Sequence, residues 1–281
     1  MSAPIEAHQS PRLTPLRALL LGLVVAFIGL FLVAPLVAVF TEALRKGLAV
    51  YFAAFTDPEA LAAIRLTLLT AAVVIPFNLV FGVAAAWAVA KFQFRGKALL
   101  VSLIDLPFAV SPVTAGLVFV LIFGRQGWFG AWLEQHDWHV IFAWPGIILA
   151  TTFVTLPFIA RELIPYMEEQ GRDEEEAARL MGASGWQILF RITLPRARLA
   201  LLYGLVLCNA RAMGEFGAVS VVSGHIRGQT DTLPLHVEVL YNDYDFAAAF
   251  AVASLLTLLA LVTLLLKAWL ERRGAHAGAI L

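Results

Sequence analysis

Residues 18–40 form an apolar run without a charged side chain. A helix needs about 17 to 25 such residues, at about 1.5 Å each, to cross the hydrocarbon core of a bilayer. In lipid the backbone N–H and C=O groups must bond to one another, which restricts the chain to helices or a closed barrel. Further runs cover 66–90, 98–124 with Asp105 inside it, 141–160, 199–222 with Arg211 and Glu215 inside it, and 246–266 with Lys267 at its end. The spacing predicts an all-α, polytopic membrane protein with six transmembrane helices. Composition agrees, at 60% hydrophobic and 14% charged, where soluble domains carry about 45–50% and about 25%.

The first run is too long for the apolar stretch of a secretory signal peptide, about 7 to 15 residues, and reads as a retained helix. An even number of spans puts both termini on one side, and the Lys and Arg bias selects it. Arg12, Arg17, Lys91, Arg95, Lys97, Lys267, Arg272, Arg273 and the cations of residues 161–198 fall on the terminal side. Arg45, Lys46, Arg65, Arg125 and Arg227 fall opposite. Both termini are therefore expected to be cytoplasmic. The expected organisation is a cytoplasmic N-terminal tail at 1–17, a first helix at 18–40, a five-helix core at 63–270 and a cytoplasmic tail at 271–281, short and disordered.

Several functions are excluded or unsupported. Lys plus Arg and Asp plus Glu number 20 each, so no polyelectrolyte surface suggests nucleic acid. The one cysteine, Cys208, forms no intrachain disulfide and no cysteine-clustered metal site. Glu134, His136, Asp137 and His139 offer ligand chemistry in an outer segment, but two histidines three apart are a weak signal, and no metal is assigned. No phosphate-cradling G-x-x-x-x-G-K-[ST] loop is present, since Gly96 and Lys97 precede Ala98, nor is G-x-S-x-G or H-E-x-x-H. No cofactor and no catalytic residue is expected, and any use of ATP belongs to another subunit.

One inner segment, 161–198, exceeds the few residues that ordinarily join neighbouring helices and holds most of the charge on that side. Within it Asp173 is positioned to cap a helix whose first turn is Glu174, Glu175 and Glu176, acidic groups being favoured at that end. The helix should run through Ala177, Ala178, Leu180 and Met181 and stop at Gly182, which tolerates a positive φ. A second short apolar helix with Trp186, Ile188, Leu189 and Phe190 should follow Gly185. Physics alone leaves two readings, an amphipathic hairpin on the headgroups and a knob docked in a groove of a soluble partner.

The string "EAARLMG", nine residues and then "ITLP" resemble the EAA loop of ABC-importer permeases, the binding-protein-dependent inner-membrane components. Glu176, Ala177, Ala178, Gly182, Ile192, Leu194 and Pro195 fill all seven positions of that pattern. The strings "DLPFAVSPVTAGLVF", "FVTLPFIARELIP", "GASGWQ", "NARAMGEFGAVSVVSGHIRGQT" and "LPLHVE" extend the resemblance to the W-type sulfate/thiosulfate permeases. The resemblance implies a type I ABC-importer permease fold and a bacterial inner-membrane location. It implies, as partners, an ABC ATPase dimer docked on the loop, a second related permease subunit, a periplasmic sulfate-binding protein and the lipid bilayer. In such a mechanism residues 174–190 move as a lever when ATP closes the ATPases.

Ionisable residues inside spans are functional candidates by default. Arg211 and Glu215 stand four apart and can pair; alternatively Arg211 offers its guanidinium to a tetrahedral oxyanion. Asp105 fits a solvated or paired carboxylate near the inner surface better than a sulfate contact. Pro107 and Pro112 free backbone carbonyls that need partners, which makes Ser111 and Thr114 candidates for the translocation path. Pro145 and Pro157 repeat this beside Thr151, Thr152 and Thr155, and Asn78 after Pro76 and Asn209 are further neutral donors. Ser223, Gly224, Arg227 and Gly228 read either as an outer gate or binding-protein dock or as an ordinary turn. Rival functions are a permease for molybdate or phosphate, a membrane enzyme using Arg211 and Glu215 on a phosphate substrate, and a structural subunit without a path. The last two need no ATPase-docking helix.

Overall fold

The computed structural model describes residues 14–278, with side chains through Trp269. Arg12 and most of the expected N-terminal tail lie outside the described residues, as do the side chains of Arg272 and Arg273. All regular secondary structure among the described residues is helical. Helix α1 (Pro15–Ile28) passes through one π-helical turn, Gly29–Val33, into α2 (Ala34–Leu44), giving one apolar stretch of 30 residues. No side chain of α1 is buried within the chain, whereas α2 packs against the last helix. The short α3 (Leu48–Thr56) leads to α4 (Pro58–Lys91). Asp57 caps α4 by accepting from the amides of Glu59 and Ala60, with Pro58 in the first turn, where its missing N–H is harmless.

Helices α5 (Lys97–Ala109) and α6 (Pro112–Phe123) meet at a bend of 107°. Pro112 has no amide to donate and disfavours helical geometry at Ser111 before it, so the run expected over 98–124 breaks there. After α7 (Gly130–Gln135) comes α8 (Trp144–Glu169), which outlasts the expected span 141–160. Arg161, Glu162, Leu163, Met167, Glu168 and Glu169 favour helix and carry it past Pro165, and Leu163 and Met167 are buried against α4 and the residues around α12. The connection after α8 is correspondingly shorter than 161–198. It holds α9 (Asp173–Leu180), α10 (Gly185–Ile188), a π-helical turn at Leu189–Thr193 and α11 (Leu194–Arg196).

The fifth expected span, 199–222, is divided into α12 (Arg198–Met213) and α13 (Gly217–Val222), with Gly214, Glu215 and Phe216 between them. The 16 residues of α12 rise about 24 Å, short of the roughly 30 Å hydrocarbon core. Among the described residues four helices are long and apolar enough to cross a membrane, or five when the bent α5–α6 pair is one span. Helix α14 (Leu233–Asn242) precedes α15 (Phe246–Gly278). The latter continues through most of the stretch expected to be a disordered tail.

Packing centres on α4 and α8. Ala86 and Ala90 of α4, Ile159, Leu163 and Met167 of α8, and Cys208 of α12 form one buried cluster. A second joins Val89, Ile104 and Ala160, fastening α5 to the same pair. Ala150 and Val154 of α8 pack with Ala218 and Val222 of α13, and Ala63, Leu233 and Val252 join α4, α14 and α15. Alanine takes part in each of these clusters, and small residues permit the close helix approach on which association rests where lipid supplies no hydrophobic drive.

Candidate functional site

The connection between α8 and α12 forms a projecting turn on a braced base. Asp173 is the first residue of α9 and not its cap: Arg172 occupies that position and no side chain caps the helix. The four acidic residues Asp173, Glu174, Glu175 and Glu176 nevertheless fill the first turn, where the helix dipole favours them. Helix α9 ends at Leu180, and Gly182 takes φ +88° in open space. Its amide donates to the Arg179 carbonyl at 2.9 Å, and that of Ala183 to Ala178 at 3.0 Å. Ser184 then starts α10 with a reciprocal cap: its hydroxyl accepts from the Gln187 amide, and the Gln187 side chain accepts from the Ser184 amide.

At the tip, Leu180 is 91% exposed, Met181 83% and Trp186 68%. The Trp186 ring stacks on Phe190 at 5.9 Å. Of the seven motif residues, Glu176, Ala177, Gly182 and Pro195 are exposed and Ala178 is buried. Leu194 packs onto the cluster of Ile159, Leu163 and Met167. The motif thus divides into an outward face and an anchoring face. Around the base, the Tyr166 hydroxyl donates to the Arg196 carbonyl at 3.1 Å, Lys97 pairs with Glu168 at 3.5 Å, and Arg196 pairs with Glu174.

A buried anchor here was not legible from the motif. Lys91, the last residue of α4, donates from Nζ to the Gly171 carbonyl at 2.6 Å and stands 3.2 Å from Glu175 Oε1. The same carboxylate oxygen accepts from the Thr193 hydroxyl at 2.7 Å. Lys91 counts in the sequence as one more inner-side cation. The available signal was Glu175 within an acidic turn, one residue before the EAA glutamate.

The candidate path residues do not gather in one cavity. Ser111 and Thr114 are exposed at the α5–α6 bend. Thr155 is buried inside the helix packing, its hydroxyl donating to the Thr151 carbonyl at 2.6 Å and accepting from Asn78 Nδ2 at 2.7 Å. Asn209 lines a groove of about 660 Å³ between α4, α12 and α15, whose walls include Ile75, Leu205, Met213, Leu256 and Thr263.

Arg211 Nη1 lies 2.7 Å from Glu215 Oε2, an ion pair lying off the line of a hydrogen bond. Glu215 sits in the break after α12 and not on the same helix. Its other oxygen accepts from the Ala218 amide at 2.9 Å, so one buried carboxylate both meets the arginine and starts α13. Asp105 accepts from Arg161 Nε at 2.6 Å, joining α5 to α8.

The segment after α13 is held by its own side chains. Ser223 Oγ accepts from the His225 amide, and Thr230 Oγ1 from that of Ile226. Arg227 donates to Asp243 at 2.6 Å, and that contact holds its guanidinium above the ordinary value. Glu134 pairs with Arg125 at 2.7 Å, and His136 Nδ1 lies 2.8 Å from the Trp132 carbonyl oxygen.

A bent helix pair, a divided apolar run and a glycine-closed turn on a braced base give this helical chain the form of a transport-system membrane component. Residues 78–275 match the binding-protein-dependent transport system inner membrane component family, and the chain belongs to that family, whose members are permease subunits and not enzymes. It is 50% identical over 270 residues to the sulfate transport system permease protein CysW of Synechocystis sp., covering 96% of this chain and 98% of that one. It is 52% identical over 254 residues to the CysW of Escherichia coli K12, covering 90% and 87%. The sulfate transport system permease protein CysT of E. coli K12 is 38% identical over 258 residues, covering 92% and 93%. Among solved structures, a chain of the bacterial alginate ABC transporter in complex with its alginate-bound periplasmic protein superposes with TM-score 0.76 at 18% identity, covering 92% of this chain and 94% of that one. The fold is that of an ABC-importer permease.

Proposed function

We propose that this chain is a permease subunit of an ATP-driven sulfate and thiosulfate importer in a bacterial inner membrane. The observation that carries the coupling half of the reading is the α9–α10 turn, apolar and exposed at Leu180, Met181 and Trp186 yet anchored beneath by Ala178, Leu189 and Thr193. That is the shape of a knob for a groove in an ATPase subunit. The acidic first turn also disfavours resting on an anionic leaflet, which attracts basic segments. The substrate half rests on the near-full-length identity to proteins named as sulfate permeases.

In this reading the chain crosses the membrane six times, with the bent α5–α6 pair as one crossing and α12–α13 as another, and both termini are cytoplasmic. An ATPase dimer docks on residues 174–190 through Glu176, Ala177 and Gly182. A second permease, related as CysW is to CysT, supplies the other half of the path, and a periplasmic sulfate-binding protein delivers the anion. The polar residues assigned to this half of the path are Ser111, Thr114, Asn209 and Arg211, while Thr155 is taken up by Asn78 and the Thr151 carbonyl. The neutral donors among them suit the task, because a strongly held anion leaves slowly.

The test is labelled-sulfate uptake in cells lacking their own sulfate permease, with this chain and its presumed partners restored. Uptake should vanish when either this chain or the ATPase is omitted, and should be competed by thiosulfate but not by molybdate. Molybdate competition with sulfate failing to accumulate would move the assignment to another oxyanion.

A further inference from the structure

We infer that the Lys91–Glu175 pair is the strut through which the coupling turn moves α4. The inference rests on the coupling reading above. Lys91 terminates α4, the 34-residue helix at the centre of the packing, and its side chain is only 2% exposed, with that of Glu175 at 7%. Taking two charges out of water is expensive, and an apolar pair of similar volume often serves stability equally well or better. Stability alone therefore gives no reason for these charges at this place.

Their geometry gives one. Lys91 reaches Gly171, in the turn that ends α8, and Glu175, in the first turn of α9. Glu175 in turn holds Thr193, in the π-helical turn that leads into α11 and α12. Four segments thus meet at one ion pair, and the cation and the carboxylate each have a second fixed partner. Of the eight residues of α9, Glu175 and Ala178 are the buried ones, and the helix otherwise packs against α10 and the π-helical turn. A push on Leu180 and Met181 therefore reaches α4 through Glu175. Because α4 packs along α8, the two long helices shift together. Lys91 and Glu175 are positioning residues; neither touches the transported anion.

The experiment compares the complete importer, reconstituted with the wild-type chain or with Lys91→Met/Glu175→Met, for sulfate uptake and for ATP hydrolysis stimulated by the binding protein. The double substitution removes both charges at once and leaves no buried charge unpaired. The strut predicts normal assembly and retained hydrolysis, with ATP consumed per sulfate rising about fivefold. A pair that merely fills space predicts an unchanged ratio, and that result overturns the inference. Should the double variant fail to assemble, Lys91→Met/Glu175→Gln decides: it removes both charges while keeping an acceptor for the Thr193 hydroxyl, and a wild-type ratio in that variant contradicts the strut. Met181→Asp, which leaves the strut intact, tests the coupling reading separately. If it takes up sulfate at the wild-type rate, the ATPase does not dock at this turn and the coupling reading fails.

Discussion

A Cβ atom at Gly82 would lie 2.8 Å from the Cβ of Ile159, nearer than side chains ever approach, so α4 and α8 meet at a distance that only glycine permits. Gly82→Ala forces the pair apart at the cluster that also seats Leu163, Met167 and Cys208. Overpacking of this kind costs about 1–3 kcal/mol, and thermal unfolding of the detergent-purified chain should show a lowered Tm. An unchanged Tm would mean that the two helices slide freely past one another.

Gly182 presents the opposite situation. No atom lies within 4 Å of a Cβ built there, but its φ of +88° is one that L-residues avoid. Gly182→Ala and Gly182→Asp should therefore strain the turn by about 1–2 kcal/mol without touching the packed helices. Tm should stay near wild type while sulfate uptake falls, more so for Gly182→Asp, which adds charge beside Leu180 and Met181. Full uptake by Gly182→Asp would remove this turn from the mechanism.

Arg211 and Glu215 should behave as a unit. Removing the arginine alone, as Arg211→Leu, leaves a buried carboxylate still bound to the Ala218 amide but without its counter-charge, a loss of about 3–5 kcal/mol where a buried pair is broken from one side. Arg211 is partly exposed, with 35% of its side chain accessible, which places the loss at the lower end. Arg211→Leu/Glu215→Gln keeps the acceptor for Ala218 and leaves no buried charge, so it should recover much of that stability. A double-mutant cycle on Tm reads the coupling, and additive effects would show that the pair is incidental.

By contrast, Asp105→Asn should change stability by at most about 1 kcal/mol. Its partner Arg161 is 55% exposed and Asp105 28%, so water replaces the lost contact. The same thermal assay checks this, and a loss as large as that of Arg211→Leu would indicate a buried role for Asp105.

Much of this architecture was legible in the sequence because lipid imposes a simple rule. Apolar runs gave the helices, and the seven residues of the EAA pattern located the turn, including the glycine that ends α9. What failed to show depends on tertiary packing. The extension of α8 to Glu169 follows from burial of Leu163 and Met167 against α4 and neighbouring residues, and hydropathy along one segment contains no such information. The division of α12 from α13 turns on Glu215 leaving the helix to cap the next one. Thr155 looked like a path hydroxyl because polar residues beside prolines do, yet Asn78 from another helix occupies it. Lys91 and Glu175, 84 residues apart in sequence, are brought together only by the fold.

The central claim is that the α9–α10 turn meets an ATPase subunit on the cytoplasmic side, and cross-linking measures it most directly. Cys208 is the one cysteine and is buried, so a Cys208→Ser background admits single reporters. With the importer assembled in membranes, Met181→Cys should join the ATPase subunit through a short bis-maleimide, with a yield that changes on adding ATP. Trp128→Cys, equally exposed on the segment after α6, should give no ATPase adduct. An ATPase adduct from Trp128→Cys, or labelling of Met181→Cys by an impermeant maleimide from the outer side with no ATPase adduct, would contradict the account.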